Sequence, residues 1–318
     1  MSSITAQQTK LDLKLVLKEK RLDIGKCNRR FNPGKIQIEP TFQVFLDALA
    51  LTPCYFAFLI TVDVLKVYMH QFWDSVYKHD IFYRFEIEKR KRFKLTLEVF
   101  RDIFKICPRV QDLGHTGEIH SLNDVVVDQM HQPWRTFAVL INKSLSGKKT
   151  GLDKLRLSRA QILCGMYHQK NVDYVELLWE DFIYQIDNKA YKKQEKMYYP
   201  RFTKVIIHYF LTQDKTLSWR NKIGMHTSKD DYLINTLRFV STREETQIYG
   251  AILPRSLTSP EMKETKAYKT HLGFATGATP PNKAETHEVP VSKKKEKVDV
   301  ARGKGIEMLS DVALKEDA

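Results

Sequence analysis

The sequence predicts a mainly α-helical protein with one small β-hairpin, and three observations indicate that fold class. The stretch His131–Gly147 places Trp134, Phe137 and Ile141 on one face at helical spacing. Similar apolar stripes recur in most of the segments on either side of it. Apolar and polar residues alternate with period two near 81–95. Because apolar stripes are stable only when they pack against one another, we expect one multi-helix globular domain.

Length and composition indicate three parts. The chain has 318 residues, of which 42% are hydrophobic, and this is enough for a sizeable core. The turn signal Asn32-Pro33-Gly34 closes a basic N-terminal stretch, and beyond residue 277 the composition becomes polar and lacks aromatic residues. We therefore expect a flexible basic arm at 1–34, a helical domain at 35–277 and a disordered polar tail at 278–318.

The first half of the domain predicts three helices and the hairpin. Pro40 and Pro53 bracket the first helix, with Thr41 as its candidate N-cap. Two alternating runs around the charged turn Glu88–Arg92 form the hairpin, and Thr96 is placed to cap the helix that follows. The predicted bounds are Thr41–Leu51 and Val64–Tyr77 for two helices, 81–95 for the hairpin and Leu97–Ile106 for the third helix.

The second half continues with further helices. The helix at 171–186 is apolar on almost every side, so we expect it to be the most buried. Asp173 suits its first turn, where the helix dipole favours negative charge. We interpret Glu176, Glu180 and Asp181 as its narrow solvent-facing side. The remaining predictions are N-caps at Ser158, Asn171 and Ser228, a helix that opens at Pro200, a helix at Lys229–Val240, and a last helix from Thr258 or Ser259 to about Gly273.

The charge of the chain bears on its partners. With a formal net charge of +14 and a pI near 9.4, the chain favours polyanions such as RNA or DNA. Its longest apolar run, Cys54–Val62, is far short of the roughly 20 residues that span a bilayer. We therefore expect no membrane association and an intracellular location, in the nucleus or the cytoplasm. The four cysteines form no Cys-x-x-Cys pair, which disfavours a disulfide framework and a structural zinc site.

Two near-matches to known functional motifs each lack a required residue, which argues against an enzyme. The basic turn at 146–150 is similar to a phosphate-binding loop, but Asn142 and Lys149 stand where that loop requires Gly and Ser or Thr. Ala275 stands where a retroviral-type protease loop would need its catalytic Asp. We predict no catalytic residue, no metal site, no cofactor and no small-molecule substrate.

Basic residues interleaved with aromatic residues are the main functional signal. Lys and Arg neutralise phosphates, and aromatic rings stack on bases. The alternative interpretation is an ordinary solvated surface above core aromatics. A basic run at 89–92 or 293–295 also matches a nuclear-import patch. The predicted nucleic-acid contacts are Arg84, Lys91, Arg92, Lys148, Lys149, Arg156, Arg159, Lys192, Lys193, Arg201 and Lys204.

Several runs of residues are similar to one large plant family. They include Phe100–Arg109, Leu113–Ile119, His131–Arg135, Leu145–Lys148, Gly165–His168, Leu178–Phe182 and Met197–Lys204. Over about residues 40–275 the chain resembles the plant transposon protein domain family, whose members accompany LTR retrotransposons and lie near gag-like, Athila-type reading frames. Between Arg109 and Leu113 the chain is shorter than the family pattern, which has an acidic segment there.

This resemblance implies a retrotransposon-derived, non-enzymatic protein, either a gag-like assembly module or a nucleic-acid-associated one. Two alternatives stay open. One is a protein–protein scaffold that self-associates without nucleic acid. The other is a nuclease or transposase whose carboxylates form no motif that the sequence reveals.

Overall fold

In the computed structural model, the described part of the chain is mostly helical, with small sheets between the helices. The structure describes residues 2–24, 41–88, 91–106, 127, 130, 133–145, 155–168, 172–189, 196–197, 199–214, 216, 224–227 and 250–280. The predicted tail beyond residue 280 and the predicted helix at 229–240 lie outside these residues.

The described residues form a series of α-helices along the chain. Their bounds are Ser2–Leu15 (α1), Thr41–Ala50 (α2), Tyr55–Leu59 (α3), Lys66–Ser75 (α4), Leu97–Phe104 (α5), Trp134–Leu145 (α6), Leu157–His168 (α7), Tyr174–Asp187 (α8), Pro200–Gln213 (α9), Pro260–Glu264 (α10) and Lys266–Ala275 (α11). None of these described helices is both long and apolar enough to cross a membrane.

Short strands form three sheets within the described residues. The largest has the antiparallel order β3 (Tyr77–His79), β4 (Phe82–Ile87) and β5 (Lys91–Leu95). The predicted hairpin is confirmed as β4 and β5. The strand β3 is a correction, because Tyr77 was predicted as the last residue of a helix. The two smaller sheets pair β1 (Asp23–Ile24) in parallel with β6 (Lys196–Met197), and β2 (Val64–Leu65) antiparallel with β7 (Met225–His226).

Local start signals explain several helices. Thr96 caps α5 as predicted, because its hydroxyl accepts a hydrogen bond from the Val99 backbone N–H at 3.2 Å. Pro200 occupies the first turn of α9, where its missing N–H costs nothing. Ser259 and Thr265 cap α10 and α11 in the same way as Thr96. The predicted starts at Thr96, Pro200 and Ser259 are confirmed, while Thr265 was not predicted because the predicted last helix is two helices.

Three other predicted caps need correction or lie outside the described residues. Thr41 is the first residue of α2 and is buried, so it is not the residue before the helix. Ser158 lies inside α7, which begins at Leu157. Asp173, instead of Asn171, caps α8 by accepting hydrogen bonds from the backbone N–H groups of the two residues Val175 and Glu176. Asn171 itself lies outside the described residues.

The core is centred on an aromatic cluster that joins α4, α5, α8 and α9. Phe182 of α8 lies with its ring centre 6.0 Å from Phe100, 6.4 Å from Phe202 and 6.5 Å from Phe72. All four rings are fully buried. Helix α8 therefore packs at this cluster, but it is not the most buried helix as predicted, because eight of its 14 residues are buried against nine of 14 in α9.

The two tryptophans on which the fold prediction depends are buried. Trp134 is fully buried in α6, and Trp179 of α8 is 8% exposed. Trp134 packs against Phe137 of the same helix and against Tyr167 of α7, with ring centres 5.6 Å and 5.0 Å apart. The expectation that the apolar stripes close onto one another is confirmed for these two helices.

The described part of the N-terminal stretch contains a helix and a short strand. Helix α1 lies within the predicted flexible arm, and Val16 directly after it is 2% exposed. The strand β1 then pairs with β6, which is far away in the sequence. The described part of the arm therefore contacts the domain, while its flexibility stays a prediction.

Candidate nucleic-acid interface

The three-stranded sheet has one buried and one solvent-facing side. Along β4, residues Tyr83, Phe85 and Ile87 are buried, and they alternate with partly exposed residues. The Phe85 ring packs 4.8 Å from Phe72 of α4, measured between ring centres. One side of the sheet therefore belongs to the core, and the intervening residues of β4 must lie on the opposite side.

Strand register adds residues from β3 and β5 to this opposite side. Residues paired directly across an antiparallel sheet share a face. Tyr77 and Lys94 both pair with Arg84, His79 pairs with Phe82, and Arg92 pairs with Glu86. We call this surface the open sheet face, and it consists of Tyr77, His79, Phe82, Arg84, Glu86, Arg92 and Lys94.

Aromatic rings lie along the β3 side of the open sheet face. The His79 ring stacks on Phe82 with centres 5.0 Å apart and planes 19° from parallel. Tyr77 lies next to His79, with ring centres 6.4 Å apart, and Tyr77 is 45% exposed. The three rings form a row that solvent reaches.

Cations lie beside these rings. The Lys94 Nζ is 4.2 Å from the Phe82 ring centre, and the Arg84 guanidinium carbon is 5.1 Å from it. The Arg92 side chain is 74% exposed and donates a hydrogen bond from Nε to a Glu86 carboxylate oxygen at 2.8 Å. That hydrogen bond raises the pKa of Arg92 above its usual value. Three cations and one carboxylate leave the face positive.

Two predicted contact residues of the hairpin lie on opposite faces of the sheet. Arg92 points to the open sheet face, but Lys91 pairs with the core-facing Ile87 and lies on the other side. There Lys91 forms an ion pair with Asp214 at the end of α9 and donates to the Thr216 hydroxyl. The hydrogen bond from Lys91 is the main cause that lowers the pKa of Asp214 to about 2.

Arg159 is one of three predicted contacts that the structure places in the interior. It is 5% exposed and donates to both Asp181 Oδ2, at 2.9 and 3.0 Å, and Asn142 Oδ1, at 2.8 Å. The Tyr199 hydroxyl accepts a hydrogen bond from Arg159 at 2.6 Å and donates one to Asp181. Burial would lower the pKa of Arg159, but Tyr199 and Asp181 together raise it. A buried, paired guanidinium is not free to contact a phosphate.

Asp181 corrects one sequence interpretation. It was assigned to the solvent-facing side of α8, but it is fully buried. Besides its contacts with Arg159, its carboxylate accepts a hydrogen bond from Ser158 at 3.4 Å and forms an ion pair with Arg156 Nη1 at 3.0 Å. Carboxylates enter a core only with partners of this kind, and nothing local in the sequence marks which acidic residue has them.

The other two predicted contacts in the interior are Arg201 and Lys204, which lie on α9 and are both 0% exposed. Arg201 donates from Nη1 to the backbone carbonyls of Ala57 at 2.6 Å and Ile60 at 3.0 Å, where α3 ends. Burial lowers the pKa of Arg201 to about 9 and that of Lys204 to about 8. Their positive charges stabilise carbonyl oxygens inside the protein and are not presented to solvent.

The remaining predicted contacts divide into one described residue and four outside the description. Arg156 is half-buried, with its guanidinium carbon 3.7 Å from the Tyr184 ring centre and its Nη1 close to Asp181. The other four are Lys148, Lys149, Lys192 and Lys193. Of the predicted set, the structure therefore brings together Arg84 and Arg92.

The predicted set did not include five members of the open sheet face: Tyr77, His79, Phe82, Glu86 and Lys94. A signal was present, because Tyr77 and His79 alternate with Lys78 before a two-residue turn at Asp80-Ile81. Because the apolar helical spacing before Tyr77 extends to that residue, Tyr77 was assigned to the helix and the short strand was not predicted.

Other kinds of site have less support in the described ranges. Within them, no group of three or more His, Cys, Asp or Glu side chains is placed to hold a metal ion. Cys54 and Cys164 are both buried, as expected of small apolar residues. Compared with family models, with curated proteins and with solved structures, the chain shows no match.

Proposed function

We propose that this chain is a non-enzymatic nucleic-acid-binding protein of plant retrotransposon origin, acting in the nucleus or the cytoplasm. The observation that carries the nucleic-acid part is the open sheet face, where Arg84, Arg92 and Lys94 accompany three exposed or partly exposed rings. The residue runs described above support the origin. The net charge of +14 supports a polyanionic partner.

The physical argument is one of charge and counterions. A protein that places Lys and Arg on phosphates releases condensed cations, so its affinity falls as salt rises. The cations on the open sheet face lie on adjacent strands, roughly 4.8 Å apart, so that neighbouring phosphates are within reach of more than one of them. The buried charges of Arg159, Arg201 and Lys204 are excluded from this contribution.

Filter binding of the full chain to RNA and DNA over a salt series tests the proposal. We expect log affinity to fall linearly with log salt, and the double variant Arg84→Gln/Lys94→Gln to reduce the slope by about 1.4 on single strands. The matched control is Lys263→Gln/Lys266→Gln, which removes the same charge from exposed residues of α10 and α11. Absence of salt-dependent binding by the unaltered chain would overturn the nucleic-acid part.

Self-association is a second candidate, and exposed apolar side chains favour it. Leu51 and Phe56, at the turn between α2 and α3, are 45% and 40% exposed. Apolar surface of this kind is typical of contacts between proteins. Light scattering of the full chain without nucleic acid tests it: a stable oligomer that Leu51→Ser/Phe56→Ser dissociates supports a gag-like scaffold, and a monomer at all concentrations argues against one.

A further inference from the structure

The row of rings beside the cations indicates which form of nucleic acid fits. We infer that the open sheet face binds single-stranded RNA or DNA, with bases stacked on Tyr77, His79 and Phe82 and phosphates held by Arg84 and Lys94. The inference rests on the proposed function and deepens it, because it names the form of the ligand and the rings that contact its bases.

The placement of rings and cations matches the two ends of a nucleotide. The rings occupy β3 and the start of β4, and the cations Arg84, Lys94 and Arg92 occupy β4 and β5. Since adjacent strands are about 4.8 Å apart, the backbones of the outer strands β3 and β5 are separated by roughly 10 Å. A nucleotide lying across the strands would thus place its base on the β3 side and its phosphate on the β5 side.

Two cationic side chains lie over the Phe82 ring, and a phosphate can draw them off the ring. Lys94 Nζ lies 4.2 Å and the Arg84 guanidinium carbon 5.1 Å from the ring centre, which are cation–π distances. Both side chains are at the solvent-facing side, so the ring holds them weakly compared with a phosphate, which carries a full charge. When they move to phosphates, the ring surface that they cover becomes free for a base.

The arrangement favours a single strand over a duplex. In a duplex each base stacks on its neighbours and pairs with the opposite strand, so an external ring row gains nothing from base faces. In a single strand the bases are free to stack on Tyr77 and Phe82, and stacking of this kind tolerates any sequence. A duplex would gain only the phosphate contacts of the cations.

Fluorescence anisotropy of the full chain tests the inference. The probes are fluorescein-labelled oligo(U), oligo(dT) and a mixed-sequence DNA duplex, each roughly 12 nucleotides or base pairs long. We expect single strands to bind at least about tenfold more tightly than the duplex at equal salt, and Phe82→Leu to weaken single-strand binding by about tenfold while leaving duplex binding unchanged. Tyr77→Leu, at a 45% exposed edge position, is the second variant and does not depend on Phe82 packing.

The control and the outcomes separate this inference from the proposed function. Phe274→Leu replaces a partly exposed phenylalanine of α11 and should leave all three affinities unchanged. If single strands and duplex bind equally and neither ring variant matters, the stacking inference is overturned while cation-based binding stands. If none of the probes binds at any salt concentration, both fail. A preference for oligo(U) over oligo(dT) would assign the ligand to RNA through its 2′-hydroxyl, and the reverse preference would assign it to DNA.

Discussion

The Asp181 carboxylate of α8 is a fully buried acceptor in a hydrogen-bond network that joins four parts of the chain. Arg159 and Ser158 of α7 donate to it, and Tyr199, directly before α9, also contacts it. Asn142 of α6 is tied to the same network through Arg159. The burial of Tyr199 and its closeness to Asp181 raise the pKa of that phenol. The network fixes how these helices sit against α8.

Removing the Asp181 charge should destabilise the fold strongly. Asp181→Asn leaves the Arg159 guanidinium buried without its counter-ion, and we expect a loss of about 3–5 kcal/mol in the free energy of unfolding. Urea denaturation of the full chain measures it. Glu176→Gln, an exposed position on the same helix, is the control and should cost little. If the two variants lose the same stability, the network does not have the role that its geometry indicates.

The β4 strand shows how one short element serves both core and surface. Its alternating residues send Tyr83 and Phe85 inward and Phe82, Arg84 and Glu86 outward. The Tyr83 hydroxyl also donates to the Asp187 carboxylate of α8, at 2.9 and 3.0 Å, which ties the sheet to the central helix. The outer residues of the open sheet face therefore stand on a rigid base.

Glu86 is the one carboxylate among the seven residues of the open sheet face, and its removal should strengthen nucleic-acid binding. Glu86→Gln frees Arg92 from its hydrogen bond and removes a charge that repels phosphates. We expect affinity for single strands to rise about two- to fivefold at low salt, and the gain to shrink at high salt. Anisotropy with oligo(U) measures it. Because misfolding cannot improve binding, unchanged or weaker affinity in a folded variant would count against this face.

The neighbouring strand β3 illustrates why short elements escape sequence reasoning. Tyr77 continues the apolar spacing of α4, so a helical pattern and a strand pattern overlap there. The backbone leaves the helix at Val76 and pairs with β4 because β4 offers free hydrogen-bonding groups. That partner is supplied by the fold, and no local pattern in 66–79 contains it.

The whole molecule distributes its positive charge between surface and interior. Of the described predicted contacts, Arg84 and Arg92 face solvent, while Arg159, Arg201 and Lys204 are buried with oxygen partners. A net charge of +14 therefore overstates what a polyanion meets.

Stability should fall in mild acid because a histidine is buried at the contact between α11 and α2. His271 is 1% exposed with its ring centre 5.4 Å from Phe45, and burial lowers its pKa from 6.5 to about 4. The unfolded chain takes up a proton between pH 6.5 and pH 4 that the folded chain does not, so stability is full above pH 6.5 and declines below it. At pH 5 this residue alone should cost about 2 kcal/mol.

Thermal unfolding measured from pH 7.5 to pH 4.5 checks the histidine prediction. His271→Phe keeps an aromatic ring against Phe45 but cannot take up a proton, so its melting temperature should depend less on pH than that of the unaltered chain. His70 and His226, whose pKa values burial also lowers to about 4, remain in the variant and leave a residual dependence. Identical pH profiles for the two proteins would show that His271 is not the source.

Local patterns in the chain were sufficient for the hairpin and for helices such as α5 and α6, but they did not predict α3. The spacing around Trp134, the cap at Thr96 and the alternation in β4 and β5 act within a few residues, so they can be read without the fold. The burial of Asp181 and Arg159 and the side of the sheet that Lys91 takes depend on partners distant in sequence. Tertiary packing assigns those partners, because a charge is buried or exposed according to what surrounds it. For the same reason, the open sheet face is defined by strand register and not by the basic runs alone.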